Sequence, residues 1–421
     1  MKNKKWLALS LAAVMAMPLA ACSSSSDNSG SDSSNTGSDA AANGETTEVT
    51  LKVWTPQEDQ SADYGNWLGE MEKNFESAHP EYKITWTNEV CQEGDIGDKV
   101  TQDPTNSADV YLFANDQIGK LRDANAIAKL GGEALEAVKK DNSEIVVDSV
   151  TQDDGVYGVP FTTNTWFMFY NKSIVTDDDA KNLDKMLEKG TVYFPISNSW
   201  YLPAFFYADG GTMFGPDGTD AAAGVDFNKP EVTETLVNLV KGGKFKDDRD
   251  GAGFAAFTDG KAAAMFTGSW DYDNAKDALG DDLGVIQLPT VKIGDAEKQM
   301  LSFSGSKAIG VNPNAKNQKA AVEFASYLGS EDAQKAHWDM RSVIPTNKNL
   351  LTDEIGKEPV VKAQNDTIDN TSVIQPTITA MGNYWTMGEN FGKAIVAGDV
   401  TDANAVEQTQ SFQDQLDTLK D

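Results

Sequence analysis

Apolar and polar positions alternate in three short runs near the start of the chain's folded part. Val49, Leu51 and Val53 alternate with Thr50 and Lys52 until Pro56; Tyr82, Ile84 and Trp86 alternate after Pro80. A third run, Asp109 to Phe113, leads into Ala114, Asn115, Asp116 and Gln117. Alternation with a period of two predicts strands. Between the first two runs, Tyr64, Trp67, Leu68, Met71, Phe75 and Ala78 recur at three- and four-residue spacing, which predicts a helix with one apolar face. Repeated strand, helix, strand units imply a mostly parallel sheet covered by helices, an α/β fold whose ligands meet the loops beyond the strands' carboxyl ends. Those loops are 55–63, 114–118 and 162–165.

The pattern changes at Gly158 to Lys172, GVPFTTNTWFMFYNK, where polar residues feed an unbroken aromatic run. Such a run needs cover on both faces. Two readings are open: a crossing from one α/β lobe into a second, with Asn164 and Trp166 near the cleft, or a surface loop before an ordinary core strand. Beyond it the sequence predicts helices near 178–189 and 227–240, strands at 262–266 and 284–288, and an aromatic-dense stretch at 193–211. Leu301 to Val311, with Ser304, Gly305 and Ser306 between apolar neighbours, reads as a return crossing. Helices follow over 317–328 and 331–340, the second capped by Ser330 with Glu331 and Asp332 in its first turn. Pro345 to Asn347 would begin a third passage, and a last helix runs through Phe391, Ile395 and Val396. Three passages would restrict two lobes to a hinge.

Composition narrows the setting. Residues 1–22 join lysines, a short apolar core and small residues ahead of Cys22, the arrangement of an export signal. Leu19 to Cys22 resembles the lipobox of bacterial lipoproteins, which implies lipidation of Cys22. Residues 23–47 lack large apolar side chains and are expected to be a flexible tether. Roughly 370 residues remain, enough for two cores. The expected lobes are 48–162 plus 308–345 and 163–307 plus 346–421. Cys91 is then the one remaining thiol, so neither an internal disulfide nor a cysteine metal cluster is expected. The two histidines, His79 and His337, suggest no metal centre, and no cofactor is expected. A formal charge of −30 argues against nucleic acid or an anionic membrane surface as partner.

Tryptophans and short polar side chains at strand ends suit a sugar, whose flat C–H faces an indole covers and whose hydroxyls need a partner each. The candidate platforms are Trp166, Trp200, Trp270 and Trp385; the candidate edge partners are Glu58, Asp59, Asp116, Asn164, Asn198 and Glu389. A carbohydrate-active enzyme needs two acids set across a glycosidic oxygen, and nothing in the sequence fixes such a pair. A purely adhesive surface lipoprotein would need no hinge.

FANDQIG (113–119), YGVPFTTNTWFMFYNK (157–172), YADGG (207–211), AAAMFTGSWDY (262–272), SVIPTN and MGNYW carry a direct resemblance. The chain resembles the extracellular solute-binding lipoproteins of ATP-driven importers, close to the maltose/maltodextrin-binding group. The resemblance implies a periplasmic-binding-protein-like, type II fold, a neutral oligosaccharide such as a maltodextrin in the interlobe cleft, and delivery to permease subunits. A monomer is expected, and the lipobox at Cys22 with the long tether after it points to lipid anchoring on the extracytoplasmic face of a Gram-positive cell. Position by position, Phe113 stands where the group has a tryptophan platform and Asp116 where it has a hydroxyl-binding aspartate. Gln117 replaces an arginine, and Asn164 a glutamate. Trp200 stands in place of a stacking tyrosine, Trp270 and Trp385 in place of stacking tryptophans, and Glu389 in place of an arginine. Trp166, where the group has an aliphatic residue, reads either as core, the favoured reading, or as an added platform. The aromatic set is kept while charged edge groups change, which leaves room for longer maltodextrins or another gluco-oligosaccharide.

Overall fold

A computed structural model describes residues 46–420 other than 153, 217 and 353. The expected leader, Cys22 and all but the last part of the tether lie outside them. Strand β1 (Thr47–Thr55) already includes Thr47, so pairing starts inside the stretch expected as tether. It lies parallel to β2 (Tyr82–Val90) and β3 (Val110–Ala114). Helix α1 (Trp67–Ala78) packs between them in sequence and starts later than its apolar spacing suggests. Gly65, at φ 87°, closes a separate 3-10 turn ahead of it and leaves Tyr64 exposed. Left-handed backbone of this kind costs glycine nothing and other residues more.

The polar crossing is a strand. β4 (Val159–Thr165) is followed by β5 (Phe167–Asn171), an inner strand of a second sheet that also holds β6 (Val192–Phe194), β7 (Phe245–Asp247), β8 (Ala264–Thr267) and β9 (Leu283–Ile286). Their order is β7-β6-β8-β5-β9; β6 is parallel to β7 and β8, and β5 is antiparallel to both of its neighbours. Strand β10 (Ser302–Val311) returns to the first sheet, pairing antiparallel with β3 and with β4. Helices α2 (Gln318–Leu328) and α3 (Glu331–Arg341) cover that sheet, and Ser330 Oγ accepts from Ala333 N as the N-cap. Strand β11 (Ser372–Ile374) adds to β10 at Ser302 to Ser304, and α4 (Met381–Ala397) closes the second lobe. The expected pair of α/β lobes joined by several crossings is what the chain adopts.

Two separate cores explain the lobes. Val49, Leu51, Phe75, Tyr111 and Phe113 belong to one; Trp166, Phe169, Phe194, Phe205 and Phe266 to the other. The crossing strands feed both. In β4, Val159 and Phe161 enter the first core, and Trp166 just beyond it enters the second; in β10, Ala308 and Ile309 enter the first and Phe303 the second. A third segment is stitched alongside, since Thr162 Oγ1 donates to Ile344 O at 2.7 Å and Gln334 Oε1 accepts from the backbone N–H of Thr346 and Asn347.

Two expected site residues lie in these cores instead. Trp166 is fully buried, with Tyr201, Phe194 and Phe266 around its ring at centroid distances of 4.6, 5.7 and 5.9 Å. Full burial of a large apolar side chain stabilises by about 1.5–3 kcal/mol, and the ring stays inside although its Nε1–H finds no partner among the described residues. Phe113 is fully buried too. It fills the space left by Gly158, where a Cβ would come within 2.8 Å of its Cζ, and by Gly310, where a Cβ would come within 3.2 Å of its Cδ1.

Candidate functional site

A cavity of about 620 Å³ opens between the lobes, within the usual range for small-molecule sites of about 300–1,000 Å³. Three groups of residues line it. The first lobe gives Glu93, Gly94, Asp98, Ala114, Asp116, Gln117 and Lys120; the crossings give Asn164, Lys307 and Gln375; the second lobe gives Asn198, Ser199, Trp200, Thr379, Gly382, Asn383 and Trp385.

Local structure aims these groups. Strand β3 ends at Ala114 and turns at once through a 3-10 turn, Asn115–Gln117, so Asp116 and Gln117 stand at its carboxyl end. In the second lobe, β6 runs into a turn in which Asn198 Oδ1 accepts from Trp200 N at 2.9 Å, fixing the backbone that carries the indole. This is the Asx-type turn that asparagine favours. Buried Tyr384 donates from its hydroxyl to Ser199 O at 3.2 Å and anchors the same turn to the start of α4, where Gly382, Asn383 and Trp385 face the cavity. Trp385 packs edge-on against Tyr384 and Phe303, with centroids 5.5 and 6.2 Å away.

The charges are arranged unevenly. Lys307 Nζ lies 3.2 Å from Glu93 Oε1, and Lys120 is paired with Asp98. Asp116 has no cationic partner among the described residues and accepts from Gln117 Nε2 at 2.8 Å. Burial pushes its carboxyl up to about 6, with the Gln117 bond opposing the shift. The cavity therefore carries one uncompensated carboxyl on the first lobe and two indoles on the second. Hydroxyl-rich ligands with flat apolar faces suit such a pairing.

Six of the sequence-predicted residues meet here: Asp116, Gln117, Asn164, Asn198, Trp200 and Trp385. The others do not line the cavity. Asp59 is buried in the first lobe, where His337 Nε2 lies 2.8 Å from Oδ1 and Arg341 bonds the same oxygen. Burial alone would raise its carboxyl, but the His337 and Arg341 charges outweigh that and hold it below the usual range. Trp67 stacks on His337 at 4.0 Å, sealing the cluster. Glu58 accepts from Gln92 Nε2 at 3.5 Å, next in sequence to the lining residue Glu93. Glu389 pairs with Lys393 along α4; a turn beyond Trp385, it is carried about 6 Å further along the helix axis. Trp270 is 52% exposed and reaches only the edge of the site, its ring 6.1 Å from that of Trp200.

Glu93, Asp98, Lys120, Lys307 and Gln375 went unforeseen. The end of β2 is a strand's carboxyl end like that of β3, and that rule alone points to Glu93 and Gly94. Lys307 lies on a crossing already singled out for its serines.

The profile of the family described as Bacterial extracellular solute-binding protein matches residues 70–364. The chain is 28% identical over 330 residues to a Galactooligosaccharide-binding protein of Bacillus subtilis (strain 168), covering 71% of this chain and 75% of that one. It is 27% identical over 322 residues to a Maltooligosaccharide ABC transporter solute-binding lipoprotein of Streptococcus pneumoniae (strain ATCC BAA-255 / R6), covering 70% and 72%. A solved structure of a chain with acarbose is 45% identical and superposes with a TM-score of 0.85 over 89% of this chain and 100% of that one.

Proposed function

This chain belongs to the bacterial extracellular solute-binding proteins, a family of binding proteins with the two-lobed type II fold and not of enzymes, and from that premise we propose that it binds a neutral maltooligosaccharide and hands it to an ABC transporter. The observation that carries the reading is the opposition of Trp200 and Trp385 to the carboxylates and amides of the first lobe across one cavity. A glucosyl ring seated there stacks its C–H face on an indole and offers its hydroxyls to Asp116, Asn164 and Gln117. A ligand touching both lobes favours the closed arrangement, which a permease can then distinguish from the open one. The stitched strands β4 and β10 supply the bend, since two extended segments flex without parting from either core. Isothermal titration with maltotriose and maltopentaose is expected to give saturable 1:1 binding, with the sugar recovered unchanged. Failure of every maltooligosaccharide to bind would overturn the reading.

A second sugar is favoured by one finding, the likeness to a relative named for galactooligosaccharide binding. Titration with a β-galactooligosaccharide beside maltotriose decides between them by the tighter ligand. The setting proposed for this activity is the extracytoplasmic face of a Gram-positive cell membrane, with Cys22 lipidated and the folded chain acting as a monomer. The lipobox resemblance and the polar stretch after it support that placement. Cys22→Ser is expected to release the protein into the medium; full retention on the membrane would refute the anchor.

A further inference from the structure

We propose that Gln375 is a positioning residue, whose side-chain carbonyl fixes the Trp200 indole in the cavity wall and ties that platform to the first lobe. The inference rests on the sugar-binding reading and extends it to how one platform is held. Trp200 Nε1 donates to Gln375 Oε1 at 2.8 Å, and Gln375 is 2% exposed, so the acceptor residue of this part-buried bond is held inside the protein. Its own backbone is fixed, with Gln375 N donating to Ser304 O on β10 at 2.8 Å.

The segment that follows is bonded to the first lobe at three points. Thr377 O accepts from Gly119 N at 3.1 Å, Thr377 Oγ1 accepts from Gln152 Nε2 at 2.6 Å, and Thr379 Oγ1 donates to Asp123 Oδ2 at 2.6 Å. The approach is close: a Cβ on Gly119 would lie 2.7 Å from both Thr377 O and Thr379 N. The backbone of Trp200, by contrast, is set by its own lobe through Asn198. Gln375 thus joins the ring of one lobe to a strap bonded to the other.

The physical consequence is preorganisation. A tryptophan ring left free to rotate must be ordered when a sugar stacks on it, and that ordering subtracts from affinity. With its N–H engaged, the indole presents a face to the cavity in one orientation. A direct role for Gln375, through its amide nitrogen on the sugar, would leave the ring irrelevant to the effect of changing it.

A double-mutant cycle in the full-length protein separates these, with maltotriose and maltopentaose as probes. Gln375→Met keeps the side chain's length and removes the acceptor; Trp200→Phe keeps an aromatic face and removes the donor. Each is expected to weaken binding about fivefold to tenfold, the range for loss of one part-buried hydrogen bond, and the double variant no more than either alone. In ligand-free protein the ¹⁵N-indole resonance of Trp200 is expected to shift in Gln375→Met and to lose protection from hydrogen exchange. Unaltered affinity in either single variant would overturn the proposal, as would an equal further loss on the Trp200→Phe background or an unmoved indole resonance. If Gln375→Met does not fold, hydrogen exchange at the Trp200 indole of the unaltered, ligand-free protein decides: protection supports the tie, and exchange at the rate of a free indole overturns it. Absence of maltooligosaccharide binding in the unaltered protein would instead refute the function proposed above, and the resonance, read without ligand, still decides the tie.

Discussion

The two lobes share an architecture and differ in where they keep their charge. The first encloses a carboxylate, Asp59, between His337 and Arg341 and lines its side of the cavity with Glu93, Asp98, Asp116 and Lys120. The second packs its interior with aromatic rings and shows the cavity two indoles and a few amides. The contrast teaches that edge recognition and face recognition are built on opposite sides of one space. Among the described residues, the first lobe's wall has no stacking ring and the second lobe's wall has no carboxylate, so a sugar that uses both must touch both lobes.

The largest test breaks the contrast in the interior. Asp59→Ala leaves His337 and Arg341 without their anion and is expected to lower unfolding free energy by about 3–5 kcal/mol, read by urea denaturation. A loss below about 1 kcal/mol would mean that the first lobe is held by apolar burial just as the second is.

Next comes the aromatic wall. Trp385→Ala removes a half-buried platform and is expected to weaken maltotriose binding by about 2 kcal/mol, roughly thirtyfold, in calorimetry. Unchanged affinity in the folded variant would take stacking away from the second lobe.

Asp116→Asn probes the charged wall. Its carboxyl titrates near 6 in the folded protein and near 4 when unfolded. Between those values the folded state holds the extra proton, so this group's contribution to stability falls as pH rises from about 4 to about 6 and stays lost above. Asparagine removes that penalty and is expected to stabilise the protein by about 1–2 kcal/mol at pH 7, with little gain at pH 4, while weakening sugar binding. Equal unfolding midpoints for both proteins across that range would show that the carboxyl is not strained by burial. The smallest effect is at the rim, where Trp270→Ala, acting on a half-exposed ring, is expected to cost under about 1 kcal/mol of affinity for maltopentaose and less for maltose. A loss as great as that of Trp385→Ala would bring Trp270 into the closed site.

Much of this was legible in the sequence wherever the signal was local. Alternation at Val49, Tyr82 and Val110 marks the strands of the first sheet, and strand-end position marks Asp116, Asn198 and Trp200. The helix expected from Phe227 begins at Pro230, because proline takes the first helical position while Phe227 is buried ahead of it. Residue type alone does not tell which way a side chain faces. Asp59, Phe113 and Trp166 are the right kinds of residue for a sugar site, yet each is held inward by partners distant in sequence: Arg341, Gly310 and Tyr201. The same long range hid Lys307, whose partner Glu93 precedes it by much of the chain.

That long range also sets the order in which the molecule can assemble. Within the first sheet, β10 is the neighbour that covers one edge of β3, and α3 accepts the Trp67 Nε1 donor through Ala333 O, 266 residues on. A chain growing from its amino end therefore carries β3 with a bare edge until the long first stretch of the second lobe, ending at β10, has been synthesised. Slow folding follows from such distant pairing, and so does a span of time in which that edge is open to another strand. Refolding from denaturant at high protein concentration should be limited by that interval.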